Sequence, residues 1–518
     1  MSEPTMFRDL IWIPSAVLVG CVLGCGGNGL NGGGGASGTN GSGGAIASGG
    51  RPGSGGATPT GGMGNSGTGG ARATGGSPAT GGAGFGGVGG TLGPVNATVT
   101  IDASSRFQIM EGFGGALAFY VNYLTEHPNR AEIYDLIFRD LGLDILRIGN
   151  WYQTLTVDQP TVAVVAAAAA SLGHPPRLLM SSWSPPASLK SNASTTNGGT
   201  LVQQNGAFAY DQFAQWWVNS LQAYAARGVR PDFISIQNEP DYKAAWETCL
   251  LRPTEGIDAA NGGISVAGYD KALQAVYARV QNVNPAPAPV PRLVAPEVTG
   301  IGSMKVQDYL MRLNPDHFAA VAHHLYNGGT ETAPDTFNTT FQAVASAAGN
   351  KPRFMTEFAP MVQDMFTTAW LINNAVTVEN VSAYIYWDLT WASPGGLVTT
   401  ENPFERATWT TTKGYTVRDA YYALKHYARW VDTGWVRVAA TASSAAVKAS
   451  AFMSPDGRLA TVVLLNTGTT SQNVALATGT WTVAASNVFR TAGATERTRE
   501  VGPLATGGVL ALPSRGIV

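Results

Sequence analysis

The sequence has little that would support a disulfide framework, a zinc site or a nucleic-acid interface. Its 518 residues include only three cysteines, Cys21, Cys25 and Cys249, at spacings that match no zinc-binding motif. The formal net charge is -2 and the pI is near 6.3, so no basic field would attract nucleic acid or an anionic membrane. These absences favour a neutral or weakly charged small substrate. We expect a monomer that needs no metal and no cofactor and binds no nucleic acid.

The N-terminal apolar run LIWIPSAVLVGCVL at 10–23 is too short and too interrupted for a membrane-spanning helix. It is typical of a secretory signal. The letters LVGC at 18–21 are similar to a bacterial lipobox, whose cysteine becomes the lipidated first residue, and VLGC at 22–25 is a poorer match. An ordinary cleaved signal with an incidental cysteine is the alternative. We predict a bacterial protein that is secreted or held at the cell surface, with membrane contact only through this anchor.

Composition divides the rest of the chain. Residues 26–94 are rich in Gly, Ser, Ala, Thr and Asn and cannot bury a core, so they are predicted to form a flexible tether. Residues 95–429 carry alternating strand and helix patterns, whereas 430–518 contain short strands separated by turns. The expected organisation is a signal at 1–25, a linker at 26–94, a catalytic domain at 95–429 and a side β-domain at 430–518. The early strand at 97–102 has no other partner, so we expect it to pair with the side domain.

The region 107–386 contains about eight short apolar runs, most of them separated by segments with helical periodicity. This alternation predicts a parallel (β/α)8 TIM barrel, and with the C-terminal module an α/β fold that has a side β-sandwich domain. The apolar runs lie at 107–115, 144–148, 177–180, 233–236, 292–295, 319–322, 353–355 and 382–386. The helical segments lie at 130–141, 206–227, 269–283, 336–348 and 367–377.

Most of these runs end in polar or aromatic residues. Active residues of such barrels lie at the C-terminal ends of the strands, and buried charges cost several kcal/mol unless they are paired. Any one of these residues could be an ordinary loop residue, but their occurrence at the ends of several runs predicts one functional cleft. The residues are Arg147, Ser181, Ser182, Trp183, Asn238, Glu239, Glu297, His323, His324, Glu357, Trp387 and Asp388.

Three of these residues are glutamates at the ends of separate apolar runs, and two of them, Glu239 and Glu357, form the candidate catalytic pair. Glu239 follows the run in ISIQNEPD at 234–241, and Glu357 follows the run in FMTEF at 354–358. Two carboxyl groups facing one cleft are what double-displacement cleavage of a glycosidic bond requires, because one protonates the leaving oxygen while the other attacks the sugar. A structural carboxylate pair is the alternative.

Five ordered motifs resemble glycoside hydrolase family 30, and the similarity extends over 97–518. They are EGFGG at 111–115, DILR at 144–147, SWSPPASLK at 182–190, IQNEPD at 236–241 and TEF at 356–358. The letters EPDYKAAWETC at 239–249 are most like the bacterial endo-β-1,4-xylanases of the glucuronoxylanase type. The resemblance implies a retaining hydrolase of polysaccharide, with Glu239 as acid/base on the fourth barrel strand and Glu357 as nucleophile on the seventh.

Three polar neighbours have roles that follow from sugar chemistry. Asn238 can hydrogen-bond the sugar 2-hydroxyl, with loop capping as the alternative. Arg147 is expected to support the ionised nucleophile within the substrate-binding site, or else to form a structural ion pair in the barrel. Tyr326 could donate to the nucleophile or steady the sugar.

Two aromatic residues and two histidines complete the candidates. Trp183 and Trp387 offer flat apolar faces suited to stacking on a sugar ring, with an ordinary core position as the alternative for each. His323 and His324 could suggest a metal, but no acidic residue stands at a matching spacing, so no metal is expected.

The loop after the last barrel run bears on the substrate. In the glucuronate-dependent xylanases of the resembled family, an arginine and a tyrosine in this loop hold the uronic acid branch. Here WASPGGLV at 391–398 contains no arginine, and the first arginine of the segment, Arg406, could substitute only if 399–405 folds back. We expect an endo-β-1,4-xylanase with little or no dependence on the branch. Another β-glycan hydrolase, acting on a β-1,6-linked glucan or galactan, and a non-catalytic cell-surface carbohydrate-binding protein are the rivals.

Overall fold

The computed structural model describes residues 93–518 except 283–288, 362–363, 392–395, 401–412, 480 and 506. The predicted signal with Cys21 and Cys25, nearly all of the linker, and Arg406 lie outside the described residues. None of the helices among the described residues combines the length and apolar character needed to cross a membrane.

Eight parallel strands close into a barrel in the order in which they follow one another along the chain. They are β2 to β9: Gly112–Leu117, Ile145–Gly149, Arg177–Ser181, Phe233–Ser235, Arg292–Val298, Ala320–His324, Arg353–Glu357 and Ala383–Tyr386. Each contains residues of one predicted apolar run, so the predicted fold class is confirmed. The first run differs in detail, because its residues up to Ile109 belong to a separate strand, β1, Ala97–Ile109.

Helices follow most of the barrel strands. They are α1 to α9: Val121–Glu126, Arg130–Tyr134, Gln159–Leu172, Tyr210–Ala225, Tyr269–Asn282, Lys305–Leu310, Asn338–Ala348, Met365–Asn374 and Asp419–Ala428. Helix α3 shows how local sequence sets the bounds, since the Asp158 carboxylate accepts a bond from Thr161 N at 2.9 Å and Gly173 ends the helix at a φ of 79°. Helices α2 and α8 continue as π-helical turns, Asp135–Asp140 and Ala375–Glu379.

The N-terminal end of the barrel is closed by side chains. Phe233 lies at its centre, with the guanidinium groups of Arg177 and Arg292 at 5.5 and 4.3 Å from the ring centroid. Glu111 forms ion pairs with both arginines. Arg177, Phe233 and Arg292 are the first residues of their strands, so this cluster lies at the opposite end of the strands from the candidate site.

A second sheet has six strands and includes both early and late parts of the chain. Its order is Ala460–Asn466 (β12), Val447–Met453 (β11), Val436–Ala442 (β10), β1, Gln472–Ala477 (β13) and Val509–Leu512 (β16). Val488–Ala492 (β14) and Glu496–Gly502 (β15) form a separate hairpin. Strand β1 is antiparallel to β10, with Thr100 opposite Thr441, and parallel to β13, with Val99 opposite Leu476. The early strand therefore lies inside the side domain's sheet.

Short strands in the connections complete the described structure. Gln203–Gln204 pairs with Ala207–Phe208, and Gly256–Asp258 pairs with Ile264–Val266. Beyond β9, Val398–Thr400 pairs with Thr390–Trp391 and with Tyr415–Val417.

Candidate active site

The two predicted glutamates face each other at the C-terminal end of the barrel. One oxygen of Glu239, one of Glu357 and Nδ1 of His324 all lie within 4.8 Å of one another. Retaining glycosidases place their two carboxyl groups about 5 to 5.5 Å apart, whereas inverting enzymes need about 6.5 to 9.5 Å. The barrel therefore brings together two side chains that are 118 residues apart in sequence, and an oxygen–oxygen approach within 4.8 Å fits the shorter, retaining spacing better than the longer one.

Arg147, on β3, is fully buried, and its two terminal nitrogens contact three polar side chains. Nη1 donates to Glu357 Oε2 at 2.7 Å, and Nη2 donates to Asn238 Oδ1 at 2.5 Å and lies 3.2 Å from Glu297 Oε1. Burial alone would lower the pKa of Arg147, but Glu297 and Glu357 outweigh it and raise that pKa. Arg147 thus forms buried ion pairs with Glu297 and Glu357, and its predicted role in supporting the nucleophile stays a prediction.

The two carboxyl groups have different surroundings. Burial, reinforced by the charge of Asp241, raises the pKa of Glu239 to about 8. Burial also raises the pKa of Glu357, but His324 and Arg147 oppose the rise. Glu357 additionally accepts a hydrogen bond from the Tyr326 hydroxyl at 3.2 Å. At neutral pH Glu239 therefore keeps its proton, while Glu357 is surrounded by groups that stabilise its charge.

His324 lies between the two glutamates, a position that sequence spacing could not reveal. Its Nδ1 is 3.0 Å from Glu239 Oε1 and 3.8 Å from Glu357 Oε1, and burial lowers its pKa. Spacing in the sequence does not reveal this group, because the two carboxylates come from other strands. Glu239, His324 and Glu357 could together hold a metal ion, so the predicted absence of a metal stays a prediction. His323 points elsewhere, with Nε2 at 2.6 Å from Glu379 Oε1.

Asn238 is held on two sides. Its backbone N–H donates to Ser182 O at 2.7 Å, and its side-chain oxygen accepts from Arg147. Because a guanidinium can only donate, this contact orients the amide and leaves its NH2 group as the donor for a ligand. The predicted role as a reader of a sugar hydroxyl fits this orientation.

The aromatic candidates differ in their exposure. Trp183 is only 2% exposed and lies beneath Arg147, with its ring centroid 4.7 Å from the guanidinium carbon. It packs against Trp151 at 5.5 Å and Trp387 at 5.8 Å. In this structure Trp183 supports Arg147 instead of offering an open face to a sugar. Trp387 is half-buried, so of the two it is the one available for stacking.

Further aromatic rings continue outward from Trp387. The ring centroids of Trp387 and Trp391 are 5.9 Å apart, and those of Trp391 and Tyr120 are 5.1 Å apart. Tyr120 is exposed and follows β2, whereas Trp391 follows β9. Flat, half-exposed rings in this arrangement suit a ligand with repeated apolar faces.

Two supporting residues received no role from the sequence. Glu297, at the end of β6, faces Arg147 and accepts a hydrogen bond from Ser181 Oγ at 3.1 Å. Ser181 in turn accepts from Arg147 Nε at 3.2 Å. Both residues stood among the predicted strand ends, so the signal was present, but only the closed barrel shows that they share one arginine.

Replacing Arg147 by methionine is expected to lower the free energy of unfolding by about 3 to 5 kcal/mol, because it leaves Glu297 and Glu357 buried without their cation. Denaturant unfolding followed by tryptophan fluorescence measures the loss. Arg139→Met is the control, since Arg139 pairs with Asp135 at 2.5 Å but is 65% exposed, and its loss should cost less than about 1 kcal/mol. Equal effects in the two variants would contradict the importance of the buried network.

A closed (β/α)8 barrel with two buried carboxyl groups at its C-terminal mouth, one with a pKa raised to about 8 and one paired with arginine, is typical of a glycoside hydrolase. The family follows from two matches. Residues 158–250 match the glycosyl hydrolase family 30 TIM-barrel domain, and residues 434–495 match the family 30 β-sandwich domain. Parts of the chain thus match both domains of glycoside hydrolase family 30, and these matches confirm the resemblance predicted from the sequence.

The individual relatives differ in the substrates that their names give. The chain is 25% identical to glucuronoxylanase XynC of Bacillus subtilis over 415 residues, 76% of this chain and 83% of that protein. It is 41% identical to endo-1,6-beta-D-glucanase of Neurospora crassa, but over only 92 residues, 17% of this chain and 19% of that enzyme. The structure of the catalytic domain of xylanase C from Talaromyces cellulolyticus superposes with a TM-score of 0.63 at 19% identity, covering 81% of this chain and 98% of that one. At this identity the likeness shows the fold.

Proposed function

We propose that the protein is a retaining, endo-acting hydrolase of β-1,4-xylan. The observation that carries this proposal is the short spacing of Glu239 and Glu357 together with their unequal environments. A retaining mechanism needs one carboxyl group that starts protonated and one that starts ionised. The raised pKa of Glu239 supports its assignment to the first role, and the Arg147 cation beside Glu357 supports the second.

The reaction has two steps. Glu357 attacks the anomeric carbon while Glu239 gives its proton to the leaving glycosidic oxygen, which produces a covalent glycosyl ester on Glu357. Esterification removes the negative charge of Glu357. Because a nearby negative charge raises the pKa of a carboxyl group, the pKa of Glu239 falls when that charge is lost. Glu239 can next take a proton from water, which attacks the ester and releases the sugar with retained configuration.

Neighbouring groups support both steps. Arg147 and Tyr326 hold the two oxygens of Glu357 at 2.7 and 3.2 Å, which aims the carboxylate and stabilises its charge. The NH2 group of Asn238 is placed to donate to the 2-hydroxyl, a contact that strengthens as the sugar flattens toward the transition state. Trp387 supplies an apolar face for the ring.

The choice of xylan rests on the extended similarity to the Bacillus glucuronoxylanase and on the EPDYKAAWETC segment at 239–249. Low branch dependence is inferred from the segment 388–405, which contains no arginine to bind a uronate. The half-buried Trp391 lies in this segment, and an indole offers no charge to a carboxylate.

A β-1,6-glucanase activity is the second candidate. The observation that favours it is the 41% identity to the Neurospora endo-1,6-beta-D-glucanase over 92 residues. Such an enzyme would use the same two glutamates, and loop contacts outside the catalytic pair would select the glucan.

The test is reducing-sugar release from unsubstituted xylan, glucuronate-decorated xylan and β-1,6-glucan, with Glu357→Gln beside the wild type. We expect comparable release from the two xylans and little from the glucan. Release from decorated xylan alone would overturn the branch inference, and release from the glucan alone would establish the second candidate. Binding to any of these glycans without release would identify a carbohydrate-binding protein instead.

The pH dependence of kcat/KM should be bell-shaped, with an alkaline limb near the Glu239 pKa of about 8. Activity falls as pH rises through this limb because Glu239 loses the proton it must donate. The acid limb should lie above the ordinary glutamate pKa, since burial raises that of Glu357 and only its ionised form attacks. Initial rates at low substrate between pH 4 and 10 measure both limbs. An alkaline limb below pH 6 would contradict the assignment.

We also propose that the N-terminal segment anchors the protein at the bacterial cell surface through a lipid on Cys21. The lipobox-like letters at 18–21 support this proposal. Mass spectrometry of the mature N-terminus should find a diacylglyceryl-modified Cys21, and Cys21→Ala should abolish the modification. A lipid on Cys25, or an unmodified cleaved terminus, would overturn it.

A further inference from the structure

Asp241 lies two residues after the proton donor and is almost completely buried at its side chain, with 5% exposure. Its Oδ2 accepts from Lys305 Nζ at 2.5 Å. Its Oδ1 accepts from the backbone N and the hydroxyl of Thr299, each at 2.9 Å. Both carboxylate oxygens are thus bound to the segment that follows β6.

These contacts tie together the ends of two neighbouring barrel strands. Thr299 follows Glu297 by two residues, as Asp241 follows Glu239, and Glu239 N donates to Glu297 O at 3.0 Å. Glu239 and Glu297 both adopt left-handed backbone conformations, with φ of 47° and 58°. Such conformations are unfavourable for a residue with a side chain and persist only where surrounding contacts hold them. The bonds made by Asp241 are among those contacts.

The same segment also touches the strand end that carries Tyr326. Gly302 N donates to Asn327 Oδ1 at 2.9 Å. A Cβ on Gly300 would lie 1.7 Å from the carbonyl oxygen of Tyr326, so the two backbones are in close contact. The segment 299–305 therefore connects the proton donor's loop to the residue whose hydroxyl contacts the nucleophile.

We propose that the ion pair of Asp241 and Lys305 positions Glu239 and sets the pH range over which this carboxyl keeps its proton. The proposal rests on the role of Glu239 in the proposed function. Neither partner is among the hydrogen-bonded neighbours of the Glu239 carboxyl in the described part of the chain, so both act through the backbone and through charge.

The two members of the pair act on Glu239 with opposite signs. After burial, the negative charge of Asp241 is the largest cause of the raised pKa of Glu239, whereas Lys305 lowers that pKa. Other charged or titratable groups also face Glu239 and would remain in any variant of the pair. They are Arg147, Tyr242, Glu297, His324, Tyr326 and Glu357.

The pair can be tested by reading the ionisation of Glu239 directly, in the full chain without substrate. Protein labelled with 13C at the glutamate side-chain carboxyl is titrated by NMR, and the Glu239 signal is identified by its loss in Glu239→Gln. We expect Asp241→Asn to move the Glu239 midpoint to lower pH and Lys305→Met to move it to higher pH, each by at least about half a pH unit. Lys305→Arg keeps the charge and should stay within that margin of the wild type.

Matched controls come from an ion pair remote in sequence. Lys448 and Asp335 form a bond of 2.9 Å, and the Lys448 side chain is 26% exposed, close to the 33% of Lys305. Asp335→Asn and Lys448→Met should leave the Glu239 midpoint unchanged. If Asp241→Asn folds poorly, the partly exposed Lys305→Met still decides the result.

The outcomes separate this inference from the proposed function. Opposite shifts in Asp241→Asn and Lys305→Met support the pair as a charge-tuning device, even if the protein releases no sugar from xylan. Unchanged midpoints, or shifts of the same sign in both variants, overturn it, even if xylan hydrolysis is established. In an active enzyme, the alkaline limb of kcat/KM should follow the NMR midpoints.

Discussion

Glu357→Gln is expected to reduce kcat on xylan by at least about 1,000-fold, since removing a nucleophile that acts within a catalytic unit removes the covalent route altogether. Glutamine has nearly the same shape, and its carbonyl oxygen can still accept from Arg147. The variant should therefore fold, while its neutral amide cannot form the glycosyl ester. Initial rates of reducing-sugar release measure the effect. The control is Glu255→Gln, at an exposed position, which should keep the wild-type activity.

Replacing Glu357 by the smaller residue alanine tests whether Glu357 is the nucleophile, and not only whether its loss lowers activity. Glu357→Ala leaves space for an external anion, so sodium azide should attack the anomeric carbon directly and release an α-glycosyl azide. The configuration follows because a single displacement inverts the anomeric centre. A Glu357→Gln enzyme with undiminished activity, or a β-configured azide product from Glu357→Ala, would contradict the assignment of the nucleophile.

Glu239→Ala is the second change with a large expected effect. Without a proton donor, kcat/KM on xylan should fall by about 100- to 10,000-fold, because the glycosidic oxygen is a poor leaving group unless it is protonated. An aryl β-xylobioside whose phenol needs no proton should still form the glycosyl ester. That ester should then accumulate, since the base for its hydrolysis is also missing.

Three measurements check this second prediction. Stopped-flow absorbance should show a burst of phenol, intact-mass spectrometry should show the glycosylated protein, and azide should rescue turnover with a β-configured product. Glu297→Ala would not be an equivalent control, because Glu297 pairs with buried Arg147. An equal loss of activity on both substrates, with no burst, would contradict Glu239 as the acid.

Much of the architecture was predictable from local patterns. The eight apolar runs correspond to the eight barrel strands, because each buried strand must carry apolar residues whatever its neighbours are. Polar residues at the ends of those runs located the cleft, since the carboxyl ends of parallel strands face the same way. Together with the motif resemblance, this was sufficient to select Glu239 and Glu357 from among the acidic residues of the chain.

The contacts among those residues could not be predicted in the same way. Arg147 and Glu357 are 210 residues apart, and His324 and Glu239 are 85 apart. Strand periodicity determines which face a side chain lies on, but not its distance from side chains on other strands. The pattern of strand-end residues therefore does not distinguish Glu297 from Glu357. In the structure it is Glu357 that accepts from Tyr326 and lies beside the Glu239 carboxyl.

The sequence by itself determined the barrel and its side sheet, because the burial of each strand is reflected in its local composition. With the motif resemblance it also predicted the two candidate carboxylates. Only the tertiary structure decided that Trp183 is covered by Arg147, that His324 lies between the glutamates, and that Asp241 binds the segment after the neighbouring strand. Those outcomes depend on how closely the closed barrel brings its strand ends together. Barrel closure depends on all eight strands together, so these distances cannot be predicted from any single segment.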